Sequence, residues 1–205
     1  MEDRKIHWET VYQTRSAEDV SWYSPCLPTS LRLIGQVASG PQTAILDVGG
    51  GAATLVDHLL AAGYQRPGVL DVSAAALQTA RQRLAERAAE VDWLAADIVT
   101  AALPAARYDI WHDRAVFHFL TDEAERQGYL RQLQHALKPG GHLIMATFGP
   151  EGPLRCSGLD VVRYDAASLS ACLGERFTLL DSLIESHHTP FGTEQQFFYG
   201  LYRLQ

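Results

Sequence analysis

The stretch Ile45-Leu46-Asp47-Val48-Gly49-Gly50-Gly51-Ala52-Ala53-Thr54 constrains this chain more than any other. Four residues suited to a buried strand run into three glycines. An apolar helical pattern of Leu55, Val56, Leu59 and Leu60 follows. Strand, glycine turn, helix is the opening of a nucleotide-binding βαβ unit. Glycine allows close backbone approach to a ligand and adopts positive φ without a Cβ clash. A dinucleotide fingerprint, G-x-G-x-x-G, would place its last glycine at Thr54, so that fingerprint fails.

An acid, Asp47, stands two residues before the first glycine, giving D-x-G-x-G-x-A. This resembles motif I of the class I S-adenosylmethionine-dependent methyltransferases. The family usually reads D/E-x-G-x-G-x-G, and Ala53 departs from it at the last position. The resemblance implies S-adenosyl-L-methionine as cofactor, with Asp47, Gly49, Gly50 and Gly51 around its methionine part. The bland alternative is a glycine-rich turn in another α/β protein.

The next acids fall in phase with the first. Val69-Leu70-Asp71-Val72-Ser73 reads as a second strand, and Asp71 lies where a ribose-binding acid belongs. Val72 beside it is placed with the cofactor. Ser73 suits an N-cap. Val91 to Ala95 reads as a third strand, followed by Asp97 and Ile98. These two match the family's motif beside the adenine ring. Lys138-Pro139-Gly140-Gly141, expected to end a helix before a strand over 142–148, resembles the family's post-motif. Two last strands, near 177–185 and 195–203, are expected to be joined by His187-His188-Thr189-Pro190-Phe191-Gly192.

The expected fold is therefore α/β, a Rossmann-like doubly wound sheet with helices on both faces. It is mostly parallel, with one antiparallel strand in a C-terminal strand pair. With 205 residues, 47% of them hydrophobic, one domain over 1–205 is expected. Residues 41–205 form its core, and 1–40 form an N-terminal helical segment able to cover the cofactor. Trp8, Tyr12, Trp22 and Tyr23 in that segment could shield a sulfonium through their ring faces. Burial alone would also explain them.

The net charge of −7, without a dense basic run, argues against nucleic acid as partner. Cys26, Cys156 and Cys172 form no C-x-x-C pair, and no metal is expected. No apolar run suits a signal peptide or a bilayer span, so a cytoplasmic protein without a membrane partner is expected.

Tyr108-Asp109-Ile110-Trp111-His112 reads as a fourth strand, and at its end stand the candidate bases His112, Asp113 and His118, imidazole being poised near neutral pH. Each histidine could equally be a satisfied core residue, and Asp113 could pair with Arg114. The N/D-P-P-Y/F motif of amide- and base-nitrogen methylation is absent. Cys156, His187 and His188 are expected near the substrate mouth. A small-molecule acceptor is favoured. The alternatives are a lysine on a protein partner, as in the weakly similar protein-lysine methyltransferases, and a non-catalytic module binding S-adenosylmethionine or S-adenosylhomocysteine. A dehydrogenase is disfavoured by the missing glycine. The sequence leaves the oligomeric state open.

Overall fold

The computed structural model describes residues 2–205. Helices α1 (Glu2–Thr14) and α2 (Pro28–Val37) precede strand β1 (Ile45–Val48). Then follow α3 (Leu55–Ala61), β2 (Gly68–Asp71), α4 (Ala74–Leu84), β3 (Asp92–Ala95) and β4 (Tyr108–Arg114). The second half holds α5 (Glu123–Ala136), β5 (Leu137–Phe148), a two-strand hairpin of β6 (Arg155–Cys156) and β7 (Leu159–Asp160), α6 (Ala166–Leu173), β8 (Phe177–His188) and β9 (Glu194–Leu204).

The seven-stranded sheet has the order β3-β2-β1-β4-β5-β9-β8. Strands β1 to β5 pair in parallel, and β9 is antiparallel to both its neighbours. All residues of β1 and β2 are buried, because helices cover both faces and a parallel sheet has no solvated side. Leu33 and Ile34 of α2 and Leu55 and Leu59 of α3 pack on one face with Ile45, Ile110 and Ile144. Tyr129 and Leu133 of α5 and Leu169 of α6 pack on the other with Leu46, Trp111 and Leu143.

Capping chemistry sets several boundaries. The Ser73 hydroxyl accepts from the Ala76 N–H and starts α4. Asp122 caps α5, and Asp165 forms a capping box with Ser168 on α6, which Gly174 ends. Two expectations shift. The helix α5 stops at Ala136, so Lys138-Pro139-Gly140-Gly141 lies inside β5, beside a register irregularity with β4. There Lys138 Nζ meets Asp109 Oδ1 at 2.7 Å. His187 and His188 end strand β8 and do not belong to the turn. Both still pair with β9, at Gln195 and Glu194, which prolongs the ladder.

The strand order reverses between β1 and β4, where connections leave in opposite directions. A doubly wound sheet opens a crevice at that point, beyond the carboxyl ends of its strands.

Candidate functional site

A cleft of about 740 Å³ occupies that crevice. Gly49, Asp71, Val72, Asp97 and Ile98 line it from the ends of β1, β2 and β3, and Trp8, Tyr12 and Trp22 from the N-terminal segment. A smaller cavity of about 530 Å³ shares Tyr12, Trp22, Gly49 and Arg114 with it and adds Asp47, Gly50 and His112. Gly51 lines neither. A Cβ there would approach Asp71 Oδ2 to 2.6 Å, so this glycine makes room for the acid.

Gly49 has φ +70°, and its N–H donates to the Leu70 carbonyl at 2.7 Å. A Cβ at Gly49 would overlap Val116 Cγ2, and one at Gly50 would overlap the Asp47 carboxylate. The loop thus needs glycine at 49 for both conformation and space, and at 50 for space.

The three acids differ in surroundings. Asp47 Oδ1 accepts from His112 Nδ1 at 2.7 Å, and His112 Nε2 meets Ser30 Oγ at 2.9 Å. Asp71 Oδ1 accepts from the Ser73 N–H at 2.8 Å. Burial first, then the nearby charges of Asp47 and Glu9, push its carboxyl up to about 7 against the pull of backbone hydrogen bonds. Asp97 is half-buried and accepts from the Val99 N–H at 2.9 Å.

The N-terminal segment roofs the cleft. Trp8 stands edge-on to Trp22 and Phe119, with centroids 5.4 and 5.1 Å away. Trp22 Nε1 donates to Tyr12 Oη at 3.1 Å. The helix α1 is tied down at several places. Glu9 Oε2 accepts from Ser73 Oγ at 2.7 Å and from the Ala75 N–H at 3.3 Å. Partial burial raises the Glu9 carboxyl, but these hydrogen bonds outweigh it and leave it lowered. His7 meets Ser157 Oγ at 3.1 Å, and Arg4 pairs with Glu125.

The three candidate bases stand otherwise than their spacing suggests. His112 borders the smaller cavity, but both its nitrogens have partners. His118 lines neither cavity. It is fully buried under Phe148, whose N–H donates to its Nδ1 at 3.2 Å. Burial first, then Arg114, lowers its pKa to about 3, so the ring is neutral. Asp113 also lies away from both cavities. It does not pair with Arg114. Its carboxylate accepts from Tyr129 Oη at 2.6 Å and from the N–H groups of Val116 and Phe117. Burial raises it to about 6 despite those bonds. It holds together the turn that leaves β4.

Cys156 lines the cleft, and burial pushes its thiol up to about 11, so it stands as the thiol and not the thiolate. His187 is buried and meets the Ser21 carbonyl at 2.9 Å, whereas the exposed His188 pairs with Glu194 at 3.1 Å. Adjacent strand residues face opposite ways, so the two do not converge. Among the described residues, no group of three or more His, Cys, Asp or Glu is placed to hold a metal ion. Nor is any helix long and apolar enough to cross a membrane.

Sequence reasoning missed Arg114, Ala115 and Phe119 as lining residues, and Glu9 as a clamp. Ala115 has φ +70°, rare for a residue with a Cβ, and turns the chain into the cleft just after Arg114. A cation at a strand end was the available signal for Arg114.

A family model described as a methyltransferase domain matches residues 45–141. An uncharacterized methyltransferase of Mycobacterium tuberculosis is 39% identical over 108 residues, 51% of this chain and 50% of that protein. Nodulation protein S of Rhizobium tropici is 30% identical over 115 residues, 56% of this chain and 47% of that one. The chain thus spans about half the length of the curated relatives it matches. A Burkholderia thailandensis 1,6-didemethyltoxoflavin-N1-methyltransferase, solved with bound 1,6-didemethyltoxoflavin and S-adenosylhomocysteine, superposes with a TM-score of 0.70 at 20% identity, covering 100% of this chain and 89% of that one. At that identity the likeness concerns the fold.

Proposed function

Because the chain belongs to the class I S-adenosylmethionine-dependent methyltransferases, we propose that it transfers the methyl group of that cofactor to a small-molecule nucleophile. The observation that carries this reading is the convergence of three acids. Asp47, Asp71 and Asp97 reach one pair of joined cavities from or just past the ends of β1, β2 and β3, beneath an aromatic roof.

The residues fit such a cofactor. Asp97 and Ile98 suit an adenine amino group and ring. Asp71 can accept hydrogen bonds from ribose hydroxyls. The Gly49 backbone and the His112-held Asp47 suit an ammonium group. The ring faces of Trp8, Tyr12 and Trp22 attract a sulfonium and exclude water from it. When bound, the cofactor supplies an electrophilic methyl, whose bond to sulfur breaks with the electron pair left on sulfur as the new bond to the nucleophile forms. The protein contributes position and dryness. Among the described residues no imidazole with an unpartnered nitrogen lines either cavity, which favours an acceptor that reaches the cleft already nucleophilic. Residues 1–40 act as a cover over a core of 41–205 within one domain. A roof clamped through Glu9, His7 and Arg4 favours a small acceptor over a lysine on a folded partner.

Thermal unfolding with S-adenosylhomocysteine and, separately, NAD tests the reading. At about 100 times its dissociation constant a ligand adds ~2.7 kcal/mol, raising Tm by about 5–11 °C in a chain of this size. A rise with the adenosylhomocysteine alone is expected. A rise with NAD alone would return the glycine loop to the dehydrogenases. A rise with the adenosylhomocysteine but no turnover across thiols, amines and other small nucleophiles would favour a binding module.

A further inference from the structure

Arg114 stands at the junction of the two cavities and lines both. Its Nε donates to Tyr199 Oη at 3.1 Å and its Nη1 to the Trp22 carbonyl at 3.1 Å. The guanidinium carbon lies 4.3 Å from the Phe197 ring centroid. These three contacts fix the plane of the fork. The remaining nitrogen, Nη2, is buried and has no hydrogen-bond partner. Among the described residues no carboxylate lies within 4 Å of the group, although Arg4, Arg83 and Arg126 each have one. The groups that feel its charge are Cys156, His118, His187 and Tyr199, none of them anionic at neutral pH.

A partly buried cation without a counter-charge is unfavourable unless an anion joins it. A guanidinium held flat by aromatic and carbonyl partners is preorganised for a planar two-oxygen anion. We therefore propose that Arg114 binds a carboxylate at the junction of the cavities. The side chain runs from β4 toward β9, away from the three acids on the β1–β3 half. That direction favours a carboxylate carried by the methyl acceptor over the one on the cofactor's methionine part. The assignment of the two halves rests on the methyltransferase reading; the anion site itself does not.

Calorimetric titration of the full chain and of Arg114→Gln tests this. The probes are S-adenosylhomocysteine, 5′-methylthioadenosine (which lacks the amino-acid part), benzoate and benzamide. Arg114→Lys serves as the charge-retaining control, and each variant's Tm reports folding. With an acceptor site, wild type binds benzoate about 10-fold or more tighter than benzamide. Arg114→Gln abolishes that preference, Arg114→Lys restores part of it, and adenosylhomocysteine affinity is unchanged. If the cofactor supplies the carboxylate, Arg114→Gln weakens adenosylhomocysteine by a similar factor and spares methylthioadenosine. Equal benzoate and benzamide affinities, together with unchanged nucleoside binding in Arg114→Gln, overturn the proposal. Failure of wild type to bind either nucleoside overturns the methyltransferase reading instead. The benzoate pair, titrated without nucleoside, still decides the anion site.

Discussion

His112 Nδ1 lies 2.7 Å from Asp47 Oδ1, both side chains buried at the paired ends of β4 and β1. The carboxylate can only accept, so the ring donates there, and its other nitrogen is taken by Ser30 Oγ. Both nitrogens of the histidine expected as a base are thus engaged, one of them by the acid ahead of the glycine loop.

Replacing it should therefore weaken binding and stability, not proton transfer. His112→Leu strips a charged hydrogen bond from a buried acid, costing about 1–3 kcal/mol and lowering Tm by roughly 2–12 °C. Adenosylhomocysteine affinity should fall with it, measured by calorimetry. A variant with normal affinity and lost turnover would restore the base role.

How far this site could be read from sequence depended on which face a residue takes. The strand ends that bring the glycine loop, Asp47 and Asp71 to the cavities were legible because a helix pattern follows each, whereas Asp97 was placed only by its position just past a third strand. His112 and Asp113 occupy the same kind of position on β4, but their side chains are taken up by partners remote in sequence, Asp47 and Ser30 for His112 and Tyr129 for Asp113. Spacing cannot separate a cleft residue from a core residue there. His118 follows in a short 3₁₀ turn (Phe117–Phe119) that folds beneath Phe148. Arg114 was legible only as a possible partner of Asp113, because the groups that hold it at the cleft, Trp22 and Tyr199, are 92 and 85 residues away in sequence.

Asp71 should make both stability and affinity depend on pH. In the unfolded chain it titrates near about 4; in the fold it titrates near about 7. Between these values the native state holds the extra proton. Its contribution to stability is therefore greatest below pH 4, falls as pH rises toward 7, and is level above. Asp71→Asn removes that loss. One pKa unit is about 1.4 kcal/mol, so the ligand-free variant should melt several degrees above wild type at pH 8 and close to it at pH 4. Nucleoside binding favours the ionised acid, so wild-type affinity for adenosylhomocysteine should rise from pH 6 to 8, and the Asn variant's should stay flat. Parallel profiles would remove Asp71 from the ribose.

Glu9 links the roof to the floor. Its carboxylate accepts from Ser73 Oγ and the Ala75 N–H at the start of α4, where the helix dipole also favours an anion. Glu9→Ala should cost about 0.5–1.5 kcal/mol and speed hydrogen exchange in α1 more than in the sheet. Uniform exchange changes would mean that α1 does not open as a separate cover.

Gly49 offers the sharpest test of the loop, because two separable effects act there. A Cβ at φ +70° carries a conformational cost of roughly 1–2 kcal/mol wherever it points. It would also overlap Val116 Cγ2, on the turn beyond β4 that lines the cleft. Gly49→Ala should therefore lose more stability than backbone strain alone explains and should bind adenosylhomocysteine at least about 10-fold more weakly, since a displaced Val116 enters the cleft. Adding Val116→Ala removes the overlapping methyl but leaves the strain. The double variant should recover part of the affinity while staying below wild type in Tm. Full recovery would assign the whole effect to sterics. No recovery would mean that positive φ at 49 is what the cofactor loop requires.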